Sequence, residues 1–278
     1  MRVLFLFILI LIFNTHLSAT EMKKQIIKTN IGNIAVFSKK EDNTIPIIFL
    51  HGVYFDHHLW DNQVSEIKDR TVITLDMPHH GESKEIAKSN WSLTDCADML
   101  IEILDSLKIP KVVAIGHSWG SMTIIRAASK HPVRFEGIGL CNMPFHAVSK
   151  KQKATFGLQH SMLIFRNFYT KQAAKALFGK TSLAENRSLL NLLSRPMNAL
   201  TNKEVKQIDK KVILDAEDAT SLIQNLQVKA IALKGKEDYV PTPSKIETVI
   251  VNGGHISPLE EPLKVQVLIQ TLIDAKGE

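Results

Sequence analysis

The sequence predicts an α/β fold: a mostly parallel central sheet, helices on both faces, and a helical insertion late in the chain. Three observations predict it. Short, nearly continuous apolar runs alternate with longer segments whose apolar residues recur at helical spacing, the pattern of strands buried on both faces. The alternation stops between Phe145 and Gln227 and then resumes. The chain has 278 residues, 45% hydrophobic and 22% charged, enough for one large core or a core carrying an insert, and unlike a disordered chain.

The elements follow in order. Arg2 precedes eleven apolar residues, Val3 to Phe13, then Asn14-Thr15-His16 and the small residue Ala19. A charged start, a short apolar segment and a small residue before the cut describe a signal peptide over 1–19 and an exported chain beginning at Thr20. The apolar stretch is short for a membrane span, which needs about 20 residues. An uncleaved anchor is the alternative, and membrane association is expected only in that case. Gln25 to Val36 reads as a hairpin with Asn30-Ile31-Gly32-Asn33 as its turn. Strands are expected at Ile45–Leu50, Thr71–Leu75, Lys111–Ile115, Gly137–Cys141, Val228–Leu233 and Thr248–Val251. Helices are expected at Ser92–Leu107, with Ser92 as its cap, at Met122–Lys130 and at Leu263–Ala275. Between Phe145 and Gln227 the pattern is helical throughout, and Thr201-Asn202-Lys203-Glu204 is a capping box. The organisation is therefore a core over 20–144, a helical lid over 145–227 and the rest of the core over 228–278.

The formal charge is +6, carried by lysines spread along the chain without interleaved stacking aromatics, which excludes a nucleic-acid footprint. Cys96 and Cys141 are expected to be buried thiols, a disulfide between them being open; neither lies in a metal-ligand spacing. His57-His58 and His79-His80 are adjacent pairs without a completing ligand set. They read as surface or loop histidines, His79 or His80 possible pocket residues; no metal and no cofactor are expected.

The chemistry concentrates at the carboxyl ends of the strands. Gly116-His117-Ser118-Trp119-Gly120 is a G-x-S-x-G between an apolar run and a helical pattern. Such a turn holds a serine clear of the sheet at a helix start. His51-Gly52-Val53 follows an earlier strand, so the Val53 and Trp119 amides are candidate donors to a developing oxyanion. A hydroxyl needs a base. Of eleven histidines, His255 stands directly after the last strand, in Gly253-Gly254-His255. Asp238, in Gly235-Lys236-Glu237-Asp238, is the candidate to orient it; Glu237 is its rival, otherwise a solvated charge. Tyr54 and Phe55 are candidate substrate-binding residues beside the oxyanion turn. Phe156, Met162, Phe165, Phe168 and Tyr169 form an apolar stretch, either the lid's own core or a ceiling over the substrate.

Together these features resemble the α/β-hydrolase superfamily, in its lid-bearing esterase and lipase-like serine hydrolases. The resemblance covers nearly all of the chain after the leader. Asp76-Met77-Pro78-His79-His80-Gly81-Glu82-Ser83 is similar to the family's D-x-P-G-x-G-x-S loop. Gly235 to Pro241 is similar to its acid loop, one residue short, and Gly254-His255 with Glu260 and Pro262 to its histidine loop. Three departures stand out. His79 replaces a usual glycine and Ser121 another. Only 17 positions separate Asp238 from His255, which leaves about one helical turn around Pro243 to Glu247. The resemblance implies a serine hydrolase cleaving an ester of a small to medium, partly apolar molecule through Ser118, His255 and Asp238. Acyl transfer, thioester, amide or carbon–carbon cleavage by the same groups are alternatives, as is a non-catalytic receptor on this fold.

Overall fold

The computed structural model describes residues 22–41 and 44–274. The expected leader over 1–19 lies outside the described residues. The fold is built on one eight-stranded sheet of order β1-β2-β4-β3-β5-β6-β7-β8. β1 (Lys23–Lys28) and β2 (Asn33–Lys39) form the expected hairpin. β2 also runs antiparallel to β4 (Val72–Leu75). From β4 onward every pairing is parallel, through β3 (Ile47–Leu50), β5 (Val112–His117), β6 (Phe135–Cys141), β7 (Ala230–Gly235) and β8 (Glu247–Val251). β3, β4 and β5 are buried at every residue, as the continuous apolar runs require of strands covered on both faces.

Two helical layers cover the sheet. α2 (Leu93–Ser106) packs on α3 (Trp119–Lys130), and α1 (Asp61–Glu66) packs on α11 (Pro262–Asp274); α3 and α11 both lie against β5 and β6. Ser92 caps α2 as expected, its side chain accepting from the Asp95 amide while Asp95 returns the bond. Cys96 in α2 and Cys141 in β6 are both buried and free. Burial pushes the Cys141 thiol up to about 12, so it is an inert apolar group.

No strand interrupts the segment between β6 and β7. It comprises α4 (Lys150–Ser161), α5 (Arg166–Leu177), α6 (Lys180–Glu185), α7 (Leu189–Asn198), α8 (Asn202–Asp209) and α9 (Thr220–Gln224). Thr201 and Glu204 form the capping box of α8. Between β7 and β8 the expected helical turn is absent. Only a turn at Ser244-Lys245 precedes β8, because the few residues after Asp238 are needed to reach the start of the neighbouring strand. α10 (Ser257–Glu260) leads into α11.

Candidate active site

β5 ends at His117 and α3 begins at Trp119, so Ser118 alone makes the turn. Its φ of 50° and ψ of −109° lie where a side chain is disfavoured, a strain of about 1–3 kcal/mol that its surroundings must hold. The Ser118 amide donates to the Cys141 carbonyl at 2.9 Å, and its own carbonyl accepts from the Met122 amide at 3.0 Å. The flanking glycines are required by proximity. A Cβ at Gly116 would lie 2.4 Å from the Ser121 nitrogen, and one at Gly120 would lie 2.1 Å from the Leu50 carbonyl oxygen. Ser121 fits without a glycine because its hydroxyl donates to the Cys141 carbonyl at 3.1 Å.

Three residues from three loops meet here. His255 Nε2 lies 3.0 Å from Ser118 Oγ, and its Nδ1 lies 2.9 Å from Asp238 Oδ1. All three are buried. β7 and β8 are parallel neighbours, so the loops after them stand side by side despite the short connection. The amide of Glu237 donates to the Gly253 carbonyl at 3.0 Å and clamps the two loops together. Burial pushes the Asp238 carboxyl up, but hydrogen bonds from His255, Asn142 and the Val240 amide, with the adjacent imidazole, outweigh it and hold it below the usual carboxylate range.

The rival carboxylate is committed elsewhere. Glu237 accepts from the Lys180 amide at 2.8 Å and the Thr181 amide at 3.2 Å, capping α6 from outside the helix. It is neither the partner of His255 nor a merely solvated charge; the backbone turn that aims Asp238 inward aims Glu237 at the first turn of α6.

Several residues of this site were given no chemical role by the sequence, though Glu260 and His117 stand within its motifs. Asn142 follows β6 with φ of 51° and is fully buried. Its Nδ2 donates to Asp238 Oδ2 at 2.7 Å and to the Gly254 carbonyl at 3.1 Å, and its Oδ1 accepts from the Ser257 hydroxyl at 2.6 Å. An asparagine directly after a buried parallel strand was the available signal, since asparagine tolerates the left-handed region. Tyr239 stacks on the His255 ring, 4.9 Å between centroids and 21° between planes. Glu260 accepts from the amides of Gly254 (2.9 Å), Ile256 (2.9 Å) and Gly179 (2.7 Å), bracketing His255 and tying its loop to the start of α6. His117 Nε2 donates to the His255 carbonyl at 2.7 Å, and burial first, then the nearby His255, lowers its pKa to about 3, so its ring stays neutral.

The loop after β3 approaches Ser118 at Gly52, where a Cβ would lie 2.4 Å from His117 Nδ1 and 3.1 Å from Ser118 Cβ. Two buried histidines support it. His51 accepts from the Met77 amide at 2.8 Å and donates to the Gly52 carbonyl at 2.7 Å; His80 accepts from the Tyr54 amide at 3.0 Å and donates to the Pro78 carbonyl at 3.0 Å. Each ring thus spends one nitrogen as acceptor, and burial above all lowers both pKa values. His79 and His80 lie in the loop after β4, one of the two placements expected, and are buried there rather than at the surface. His79 adopts φ of 70°, the left-handed position that explains the usual glycine and that histidine tolerates better than most residues. His57 is half-buried and binds Asp76 through its amide (2.8 Å) and Nδ1 (2.9 Å), so the D-x-P loop is pinned from within. Among the described residues no group of three potential ligands could hold a metal ion.

Trp119 is the first residue of α3, so its amide has no acceptor within the helix. Val53 lies at the turn between Gly52 and Tyr54, whose bonds are formed by their own groups. Tyr54 and Phe55 are buried rather than open beside Ser118. The Tyr54 hydroxyl donates to Asp209 at the end of α8, and Phe55 meets His117 edge-on at 6.2 Å. The apolar stretch Phe156–Tyr169 divides: Tyr169 is buried, whereas Met162, Phe165 and Phe168 are exposed.

Comparison with known proteins agrees with this geometry. Residues 45–210 match the family described as alpha/beta hydrolase fold. Over 250 residues the chain is 24% identical to 2-succinyl-6-hydroxy-2,4-cyclohexadiene-1-carboxylate synthase of Enterobacter sp. (strain 638), covering 82% of this chain and 91% of that protein. It is 31% identical over 102 residues to 3-oxoadipate enol-lactonase 1 of Acinetobacter baylyi, a match spanning 36% of this chain and only 38% of the lactonase. Among solved structures, a thermophilic esterase from Thermogutta terrifontis superposes with a TM-score of 0.77 at 20% identity, over 90% of this chain and 97% of the esterase. The enol-lactonase of Burkholderia xenovorans LB400 superposes with a TM-score of 0.78 at 17% identity, over 89% of this chain and 99% of that one. At these identities the superpositions speak for the fold alone.

Proposed function

Because the chain belongs to the α/β hydrolase fold family, we propose that it is a serine hydrolase that cleaves carboxylic esters, open or cyclic, of small to medium, partly apolar molecules. The observation that carries the reading is the hydrogen-bonded series from Ser118 through His255 to Asp238. Asp238 accepts from His255 Nδ1–H and so leaves Nε2 free to receive a proton. Ser118 Oγ attacks the acyl carbonyl carbon as its proton passes to Nε2. The Val53 and Trp119 amides hydrogen-bond the oxyanion as it forms. The tetrahedral intermediate collapses, His255 protonates the departing alcohol, and Ser118 is left acylated. Water, losing a proton to His255, then attacks the ester so formed, and His255 returns that proton to Ser118 Oγ as the acid leaves. The α4–α9 segment acts as a lid over this site, tied to it where the His255 amide donates to the Leu177 carbonyl at 2.7 Å. The enol-lactonase relative supports an ester as the bond cleaved.

A fluorophosphonate probe tests the reading. The wild-type chain should label once, and Ser118→Ala should abolish both labelling and hydrolysis of p-nitrophenyl esters while retaining the thermal transition. Labelling that persists in the variant would remove Ser118 from the mechanism. The leader supports export with cleavage after Ala19. N-terminal sequencing of the protein from its host should find Thr20 first, and a chain beginning at Met1 would overturn that.

A further inference from the structure

Apolar side chains left exposed on α4, on α5 and on the turn between them have no part in the hydrolysis. Leu158 is 73% exposed, Ile164 77%, Phe165 59% and Phe168 49%, all within eleven residues of sequence; Met162 lies among them. Single exposed apolar residues are ordinary, but a cluster with two phenylalanines marks a surface that something covers. The stretch of sequence around it is cationic. From Gly137 to Ala184 there is no aspartate or glutamate, whereas the same stretch holds six lysines and Arg166. Arg166 is occupied by the carbonyls of Met197 and Leu200 and by Asn202. All six lysines are exposed, and among the described residues none of them forms an ion pair. Some lysines elsewhere pair, such as Lys24 with Glu82, Lys88 with Asp95, Lys111 with Glu136 and Lys130 with Asp98. Apolar side chains to enter an acyl layer, beside unpaired lysines for its headgroups, are the two terms by which a peripheral helix binds an anionic bilayer.

We propose that the outer face of α4 and α5 docks on an anionic phospholipid surface. The contact is peripheral, since no helix among the described residues is long and apolar enough to cross a membrane. It is separate from any hold the leader provides. α5 buries Tyr169 and Ala174 and ends where the Leu177 carbonyl accepts from His255, so docking through Phe165 and Phe168 sets the bilayer against the helix that borders the candidate site.

Vesicle flotation of the full chain tests this, with phosphatidylcholine alone and with phosphatidylcholine containing phosphatidylglycerol. The wild-type protein should float with the anionic vesicles, at least ~10-fold more strongly than with neutral ones, and less as salt is raised. Lys150→Gln/Lys151→Gln/Lys153→Gln should weaken partitioning by about 100-fold, roughly fivefold per lysine. Ile164→Ser/Phe165→Ser/Phe168→Ser should weaken it by at least ~10-fold at unchanged lysine content. Circular dichroism and the thermal midpoint verify folding, and Phe165→Ser alone serves if the triple variant is unstable. Equal binding to neutral vesicles, binding that survives both sets of substitutions as a leader anchor would, or sensitivity to the lysines alone would each overturn the proposal. So would a dimer in sedimentation velocity that the serine variant dissolves, since the face would then belong to a second copy.

Discussion

Asn142→Ala removes the donor that lies 2.7 Å from Asp238 Oδ2, on the side of the carboxylate away from His255. A hydrogen bond to a charged group contributes about 1.5–3 kcal/mol, and here the acceptor is buried, so water does not replace the donor freely. Asp238 keeps the His255 ring and the Val240 amide at 3.2 Å, so the carboxylate is weakened and not lost. We expect kcat/KM for a p-nitrophenyl ester to fall about 10- to 100-fold, the rate equivalent of roughly 1.4–2.7 kcal/mol. Burial raises the Asp238 carboxyl and Asn142 is one of the bonds opposing it, so its loss moves the carboxyl upward. As pH falls, the variant should therefore lose activity at a higher pH than the wild type. The Gly254 carbonyl and Ser257 hydroxyl also lose their partner, at about 1–3 kcal/mol of stability, which lowers the thermal midpoint by several degrees. Asn142→Asp preserves the shape but sets two carboxyls in contact that cannot both ionise, and should be the more damaging change. The assay is kcat/KM across pH 4 to 8 alongside a thermal melt, with Asp238→Asn as reference. A rate within about twofold of wild type, on an unmoved acid limb, would refute the account, because Asp238 would then owe nothing to this bond.

The remaining predictions are narrower. Asp238→Asn should keep the fold and lower turnover by as much as ~10⁴-fold, because an amide favours the wrong imidazole tautomer. Glu237→Gln should leave turnover almost unchanged and slightly loosen α6, whose first amides it caps; a ranking of the two variants in the opposite order, measured as kcat, would reverse the choice of acid. The His57–Asp76 pair gives a stability effect with a defined pH window. Burial lowers the His57 pKa, but the Asp76 bond together with the charges of Asp76, Asp56 and Asp61 outweighs it and raises it overall; burial likewise raises Asp76, and the His57 bond together with the His51 and His57 charges and the Glu82 amide outweighs that and lowers it. A raised histidine stabilises the fold below its unfolded value of about 6.5 and loses that as pH rises through its folded value, whereas a lowered carboxyl loses its contribution as pH falls. The gap between wild type and His57→Gln should thus be widest between about pH 4 and 6.5, at no more than about 1 kcal/mol since His57 is partly exposed. Thermal midpoints showing a constant gap, or one that grows above pH 8, would contradict this.

The strands, the long helices and the place of Ser118 on the strand-to-helix turn were legible in the sequence because each is a local matter. Buried parallel strands read as continuous apolar runs, and a serine between glycines at a strand-to-helix junction carries its own geometry. The choice between Asp238 and Glu237 was not local. It depended on β7 and β8 being neighbours and on α6 starting where Glu237 could cap it, and the short connection that pointed to a helical turn instead carries the chain straight into β8. The burial of His79 and His80 was hidden for the same reason. Nothing adjacent in sequence to His80 reveals that its ring accepts from the Tyr54 amide, 26 positions away, while Phe165 and Phe168 share their composition with core residues and are exposed. Composition and spacing specify which groups a segment offers, but which partner satisfies a buried polar atom, and which apolar face goes unburied, depends on segments distant in sequence. Asn142, Glu260 and His117 were therefore visible as residues and became parts of a site only where β6, β7 and the loop after β8 converge.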